Sequence, residues 1–178
     1  MAFLSLEFRN LNDLLVQQLH DLYDAEQRLT EALPKMAEAA TSSELKSAFN
    51  DHLRETQGHV RRLEQVFNQM GCEPKRETCM AIKGLIAEGD EMITAKGDDH
   101  VRDAGLIAAA QRVEHYEMAG YGSVRTFAQQ LGMQEVASLL QKTLDEEGAA
   151  DKKLTRIAEG FVNVSTPQGA PAGSQYAS

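Results

Sequence analysis

Cysteine is scarce: Cys72 and Cys79 are the only two in 178 residues. Two are too few for a disulfide framework, and their spacing fits no zinc pattern, so they read as reduced thiols near a loop. Proline is scarce too, with four in the chain and two of those in the last dozen residues. Basic residues are outnumbered, 18 against 27 acidic, for a net charge of -9. Such a surface repels nucleic acid and anionic membranes, which excludes both as expected partners, and it attracts cations. No stretch approaches about 20 apolar residues, so no membrane span is expected. No basic region followed by an apolar run opens the sequence, and a cytoplasmic location is expected. Strand-like alternation is missing as well.

What remains is helix. The length suits one domain with a sizeable core. The stretch TPQGAPAGSQYAS, residues 166–178, has no periodic apolar pattern and reads as disordered. A helical domain is therefore expected over 1–162 and a flexible tail over 163–178. Elsewhere apolar residues recur every three and four positions, the mark of amphipathic helices. Five can be placed: about Asn10 to Ala40, Ser43 to Gly71, a short one between Cys79 and Lys96, Asp98 to Leu131, and Met133 to Phe161. Pro34 removes a donor inside the first and is expected to kink it or shift its hydrogen bonding. Short connections near residues 41 and 132 imply two antiparallel hairpins, joined by a crossover with a short helix. The expected fold is all-α, an antiparallel four-helix bundle.

An internal repeat supports this layout. The first helix carries the stripe Leu15, Leu19, Leu22, Glu26, Leu29, Leu33, Met36, Ala40. A shift of 91, from residue 26 to 117, gives Leu106, Ala110, Val113, Glu117, Gly120, Val124, Phe127, Leu131. Each is an apolar seam broken once by glutamate. The second and fifth helices obey the same shift. Leu45, Phe49, His52, Thr56, His59, Leu63, Val66, Met70 matches Val136, Leu140, Thr143, Glu147, Ala150, Leu154, Ile157, Phe161. All four seams turn polar near their middle.

Antiparallel helices of similar length bring their midpoints together. Glu26, the segment HLRETQGH with His52, Glu55 and His59, then Glu117 and Glu147 should converge inside the bundle. Glu114 lies one turn before Glu117, and Asp151 one turn after Glu147. Buried, unpaired carboxylates cost several kcal/mol each, and no lysine or arginine falls at the matching seam steps. Two divalent cations would balance Glu26, Glu55, Glu117 and Glu147. Mixed carboxylate and imidazole donors suit iron, manganese or zinc, and bridging carboxylates would hold two such ions about 3.5–4 Å apart. His52 is expected to donate to Glu55 or another carboxylate rather than to bind metal, with the choice between His52 and His59 open. Tyr23, Tyr116 and Tyr121 are expected to pack beside the glutamates and hydrogen-bond them. Gly58, Gly120 and Gly122 are read as points of close helix approach. Glu88, Asp90 and Glu91 read as the solvated face of the crossover helix.

LYDAEQRL, HLRETQGHVRRLEQVF, VEHYEMAGYG and LDEEGAADKKL together resemble the YciE/YciF-type ferritin-like proteins, a bacterial family linked to stress responses. The resemblance runs from about Leu11 to Ala158. It implies a ferritin-like bundle, a homodimer and a dinuclear metal centre, with iron favoured over manganese or zinc. Ferritin-like sites use one glutamate on each of two helices and a Glu-x-x-His pair on each of the others. By that pattern Glu26 and Glu117 take the single roles, Glu55 and His59 resemble one pair, and Glu147 opens the other. Glu114 with Glu117 resembles the two-glutamate motif of rubrerythrins. The pattern is imperfect: Glu55 and His59 stand four apart, Asp151 stands where a histidine is wanted, and Glu146 competes with Glu147. The metal set implied is thus Glu26, Glu55, His59, Glu114, Glu117, Glu147 and Asp151. Three functions follow from it. They are oxidoreduction of peroxide or O2 with an unidentified electron donor, iron sequestration without turnover, and a structural stress protein with a polar core.

Overall fold

The computed structural model describes residues 7–169, and the tail beyond 169 lies outside the described residues. Five α-helices form: α1 Leu11–Ala39, α2 Ser43–Met70, α3 Met80–Thr94, α4 Asp99–Gln130 and α5 Gln134–Ile157. No strand occurs among the described residues. The starts of α1, α2 and α4 are capped by short polar side chains that satisfy free amides. Asn10 accepts from Asp13 N, Ser42 from Leu45 N, and Asp98 from His100 and Val101 N. Helix α2 stops at Gly71 and α4 just before Gly132, both at positive φ, 67° and 76°, where glycine avoids the Cβ clash. Pro34 sits inside α1 without ending it.

Helices α1 and α2 form one hairpin and α4 and α5 the other. Helix α2 packs on α5 and α1 on α4, while α3 crosses over α1 and α4. Two apolar clusters fill the ends of the bundle. One gathers Leu29, Leu33, Phe49, Leu106, Leu154 and Ile157; the other gathers Leu19, Leu22, Leu63, Phe67, Val124 and Leu140. A buried polar layer separates them.

The seams are buried nearly as the periodicity requires, with one slip. Phe161 is about half exposed, and Val162 is wholly buried in its place. The α-helix ends at Ile157, and a π-helical turn, Ala158–Val162, follows. A π turn carries an extra residue, so the buried face moves one position along the chain. A 3₁₀ turn over Asn163–Ser165 comes next. Of the three glycines, Gly120 alone marks close approach: a Cβ there would stand 2.8 Å from Leu22 Cδ2, whereas Gly122 meets nothing within 4 Å and Gly58 only Arg61 at 3.9 Å.

Two buried aspartates join the elements. Asp103 on α4 accepts from Thr41 N and Ser42 N and so ties the second hairpin to the α1–α2 turn. Asp24 on α1 accepts from Arg28, Arg76 and Cys79 N, anchoring the start of the crossover.

Candidate metal centre

Mid-bundle, four helices turn polar side chains inward. Glu26 comes from α1, His52 and His59 from α2, Glu114 and Glu117 from α4, and Glu147 from α5, and all six are buried. Their donor atoms fall into two groups, His52 with Glu114, Glu117 and Glu147, and Glu26 with His59 and Glu147; within each the atoms lie within 4.8 Å of one another. Glu147 belongs to both.

The imidazoles are arranged alike, each between an inner and an outer carboxylate. His52 Nδ1 meets Glu55 Oε2 at 3.3 Å, while its Nε2 lies 3.4 Å from Glu114 and 3.7 Å from Glu147. His59 Nε2 meets Glu146 Oε2 at 2.9 Å, while its Nδ1 lies 2.9 Å from Glu147 and 3.4 Å from Glu26. An N–H donated outward fixes the tautomer and leaves the inner lone pair free for a cation. Arg62 in turn donates to both oxygens of Glu146, at 2.8 and 3.1 Å, and to Thr143 Oγ1. Tyr121, wholly buried, donates to Glu26.

Among protein groups alone this layer is poorly satisfied. Glu26 Oε2, Glu114 Oε2, both oxygens of Glu117, both of Glu147 and His59 Nδ1 are buried without a hydrogen-bond partner. The close approach of His59 Nδ1 to Glu147 lacks hydrogen-bond alignment. Cores rarely leave so many acceptors unpaired. Burial, with the repulsion of neighbouring carboxylates, pushes Glu117 well above the usual carboxylate range. Burial pushes Glu114 up as well, against the pull of His52. Burial would lower both imidazoles, but Glu114 and Glu55 carry His52 up to about 9, and Glu147 and Glu26 carry His59 up to about 11. Glu147 is raised by burial, yet His59 brings it below its ordinary value. A donor set of oxygens and imidazole nitrogens, with inward atoms left unpaired, fits a divalent metal ion.

Two expected ligands stand apart from these groups. The Glu55 side chain is 48% exposed and reaches only the outer nitrogen of His52. Its seam neighbour is Thr56, and at 100° per residue Glu55 falls on the edge of the stripe. Asp151 accepts from Gln111 and faces His115 at 3.4 Å on the α4–α5 surface. It follows the seam position Ala150 and rotates outward by the same step. His52 moves the other way, into the groups. Glu147 points inward and Glu146 outward. Tyr23 bonds Glu64 and Tyr116 bonds Asp21. Arg62 was missed because it precedes a seam residue, although its i+3 spacing from His59 placed it near that face. A cavity of about 20 Å³ lies between α2, α4 and α5, lined by His52, Glu55, Glu114 and Lys153 among others.

Fold and site define a ferritin-like helical protein with a buried carboxylate and histidine layer. Residues 10–166 match the family model described as a domain of unknown function, DUF892, and the chain belongs to that family. It is 45% identical to Protein YciF of Escherichia coli K12 over 159 residues, 89% of this chain and 96% of that one. The crystal structure of the E. coli stress protein YciF superposes with a TM-score of 0.85 at 46% identity, covering 88% of this chain and 99% of that one. YcfI of Rhodopseudomonas palustris, whose description proposes a structural role, superposes at 0.82 with 44% identity over 86% and 98%. A two-domain protein of Anabaena variabilis with a ferritin-like domain shares the fold, at TM-score 0.58 and 16% identity over 91% of this chain and 40% of that one. No described helix is long and apolar enough to cross a membrane.

Proposed function

We propose that this chain is a dinuclear metal-binding protein, carrying iron or manganese, that reacts with peroxide or O2 in stress protection. The carrying observation is the pair of donor groups joined through Glu147, with their inward atoms unpaired. Glu26, His59 and Glu147 would hold one ion, and His52, Glu114, Glu117 and Glu147 the other. Such ions supply the electron exchange with O2 or peroxide that protein side chains lack.

The chain's own groups do the rest. Glu55 and Glu146 orient the two imidazoles from outside. Arg62 fixes Glu146, whose partly exposed carboxylate links His59 to solvent. The two apolar clusters keep bulk water from the layer on both sides. Tyr121 fixes one oxygen of Glu26. Cys72 and Cys79 form no rubredoxin-like pairs, so the electron donor in this reading is a separate protein or small molecule, and the assembly is a homodimer.

A second, non-catalytic reading rests on the same layer, in which His52 and His59 as imidazoliums offset two of the carboxylates and no turnover occurs. The description of YcfI accords with it.

The test is metal content per chain by elemental mass spectrometry after anaerobic loading with Fe(II), beside a Glu26→Ala, Glu117→Ala double variant. About two ions per chain, lost in the double variant, support the dinuclear reading. No bound metal in either sample removes it and leaves a hydrogen-bonded core. Peroxide consumption by the loaded chain then separates turnover from sequestration.

A further inference from the structure

The repeat pairs Glu26 with Glu117, and both are buried in the polar layer. It also pairs Thr56 with Glu147, the residue shared by both donor groups. Helix α2 thus offers a short hydroxyl at the step where α5 offers a carboxylate. Thr56 is wholly buried, and its Oγ1 has no hydrogen-bond partner. Other threonines within helices behave differently. Thr30, Thr94 and Thr126 turn their hydroxyls back to carbonyls one turn earlier, and Thr143 accepts from Arg62. That backward bond is the ordinary resting place of a helical threonine hydroxyl. Thr56 forgoes it, one turn after His52 and one turn before His59, whose rings lie 6.3 Å apart.

We propose that Thr56 keeps one ligand position of the centre open and that its hydroxyl binds the small exogenous oxygen ligand, water or peroxide, which enters there. The proposal rests on the dinuclear reading above. A hydroxyl can donate to an anionic ligand and accept from a protonated one, so it serves both the resting and the occupied position. A glutamate at residue 56 would fill that position with the chain's own oxygen and leave the centre closed.

The test uses azide as the probe on the full chain loaded with Co(II), followed by visible absorption, with metal content measured for every variant. The wild type and Thr56→Ser are expected to bind azide alike. Thr56→Val, which keeps the shape and loses the hydroxyl, is expected to keep both metals and bind azide about tenfold more weakly. Thr56→Glu is expected to keep both metals and give no azide response. Equal azide affinity in wild type and Thr56→Val at equal metal content overturns the proposal, as does undiminished binding in metal-loaded Thr56→Glu. Should Thr56→Glu not fold, the comparison of valine with serine decides alone. A wild type that takes up no metal fails the dinuclear reading itself and is distinguishable by the metal count.

Discussion

The two hairpins are near copies in apolar pattern and unequal in chemistry. The first brings both imidazoles and one carboxylate, Glu26. The second brings three carboxylates, Glu114, Glu117 and Glu147, and no imidazole. At matching steps the side chains part ways. Glu114 is buried in the polar layer, while its counterpart Tyr23 bonds Glu64. Tyr121 reaches across to Glu26, while its counterpart Thr30 bonds its own helix. Seam packing demands only apolar bulk at three- and four-residue steps, so it tolerates two copies. Donor sets demand complementarity, so the two hairpins differ there. Neither hairpin holds a complete group of donors, and docking of the two assembles the layer.

That division can be broken most severely at Glu147, the residue common to both groups. Glu147→Ala is expected to reduce bound metal from about two ions to none, and Glu26→Ala only to about one, by elemental analysis of the loaded protein. Equal losses would show that the two groups are not joined through Glu147.

The docking of the hairpins can be weakened away from the layer. Asp103→Ala leaves Thr41 N and Ser42 N without their buried acceptor. It is expected to cost about 3 kcal/mol in urea unfolding, with Asp103→Asn costing less. A loss under about 1 kcal/mol would mean that water replaces the carboxylate there.

Protonation sharpens the contrast between imidazole and carboxylate. Unfolded, both histidines titrate near 6.5; folded, they hold their protons to about 9 for His52 and about 11 for His59. The folded chain binds more protons, so stability from the imidazoliums is complete below 6.5 and drains away as pH rises toward 9 and beyond. Raised Glu114 and Glu117 act in the same direction above their ordinary 4.5. Chelator-treated protein is therefore expected to lose about 5 °C in Tm between pH 6.5 and 9. Added Mn(II), which displaces those protons, is expected to stabilise more as pH rises. A flat or rising Tm for the chelated protein would contradict this.

The smallest effect is expected at Glu55, outside the donor groups. Glu55→Ala should leave about two ions bound, with affinity reduced less than about tenfold through a looser His52. Loss of a whole ion would return Glu55 to the donor set.

Helix order, hairpin pairing and the polar middle of each seam were legible because they follow from periodicity, and neighbours three or four apart must share a face. The donors were legible only in part. Glu26, Glu114, Glu117, Glu147 and His59 lie in the gathered layer, whereas Glu55 and Asp151 do not. Those two misplacements are of one kind, a residue beside the stripe taken for one on it, whereas His52, on the stripe, was assigned outside the donors and lies among them. Spacing alone could not separate Glu146 from Glu147, since the roll of α5 against α2 decides which faces inward. The slip at Phe161 has a related cause, since a π turn leaves no periodic trace before it.

What the sequence by itself determined was the set of helices, their duplication and the charge at mid-bundle, because backbone hydrogen bonding and apolar spacing are local. What only the tertiary structure decided was which polar atoms face one another: His52 inward, Glu55 and Glu146 behind the imidazoles, Asp151 at the surface, Thr56 without a partner. A helix turns 100° per residue, and a rotation smaller than that, set by packing against the neighbouring helices, moves a carboxylate from the centre to the solvent.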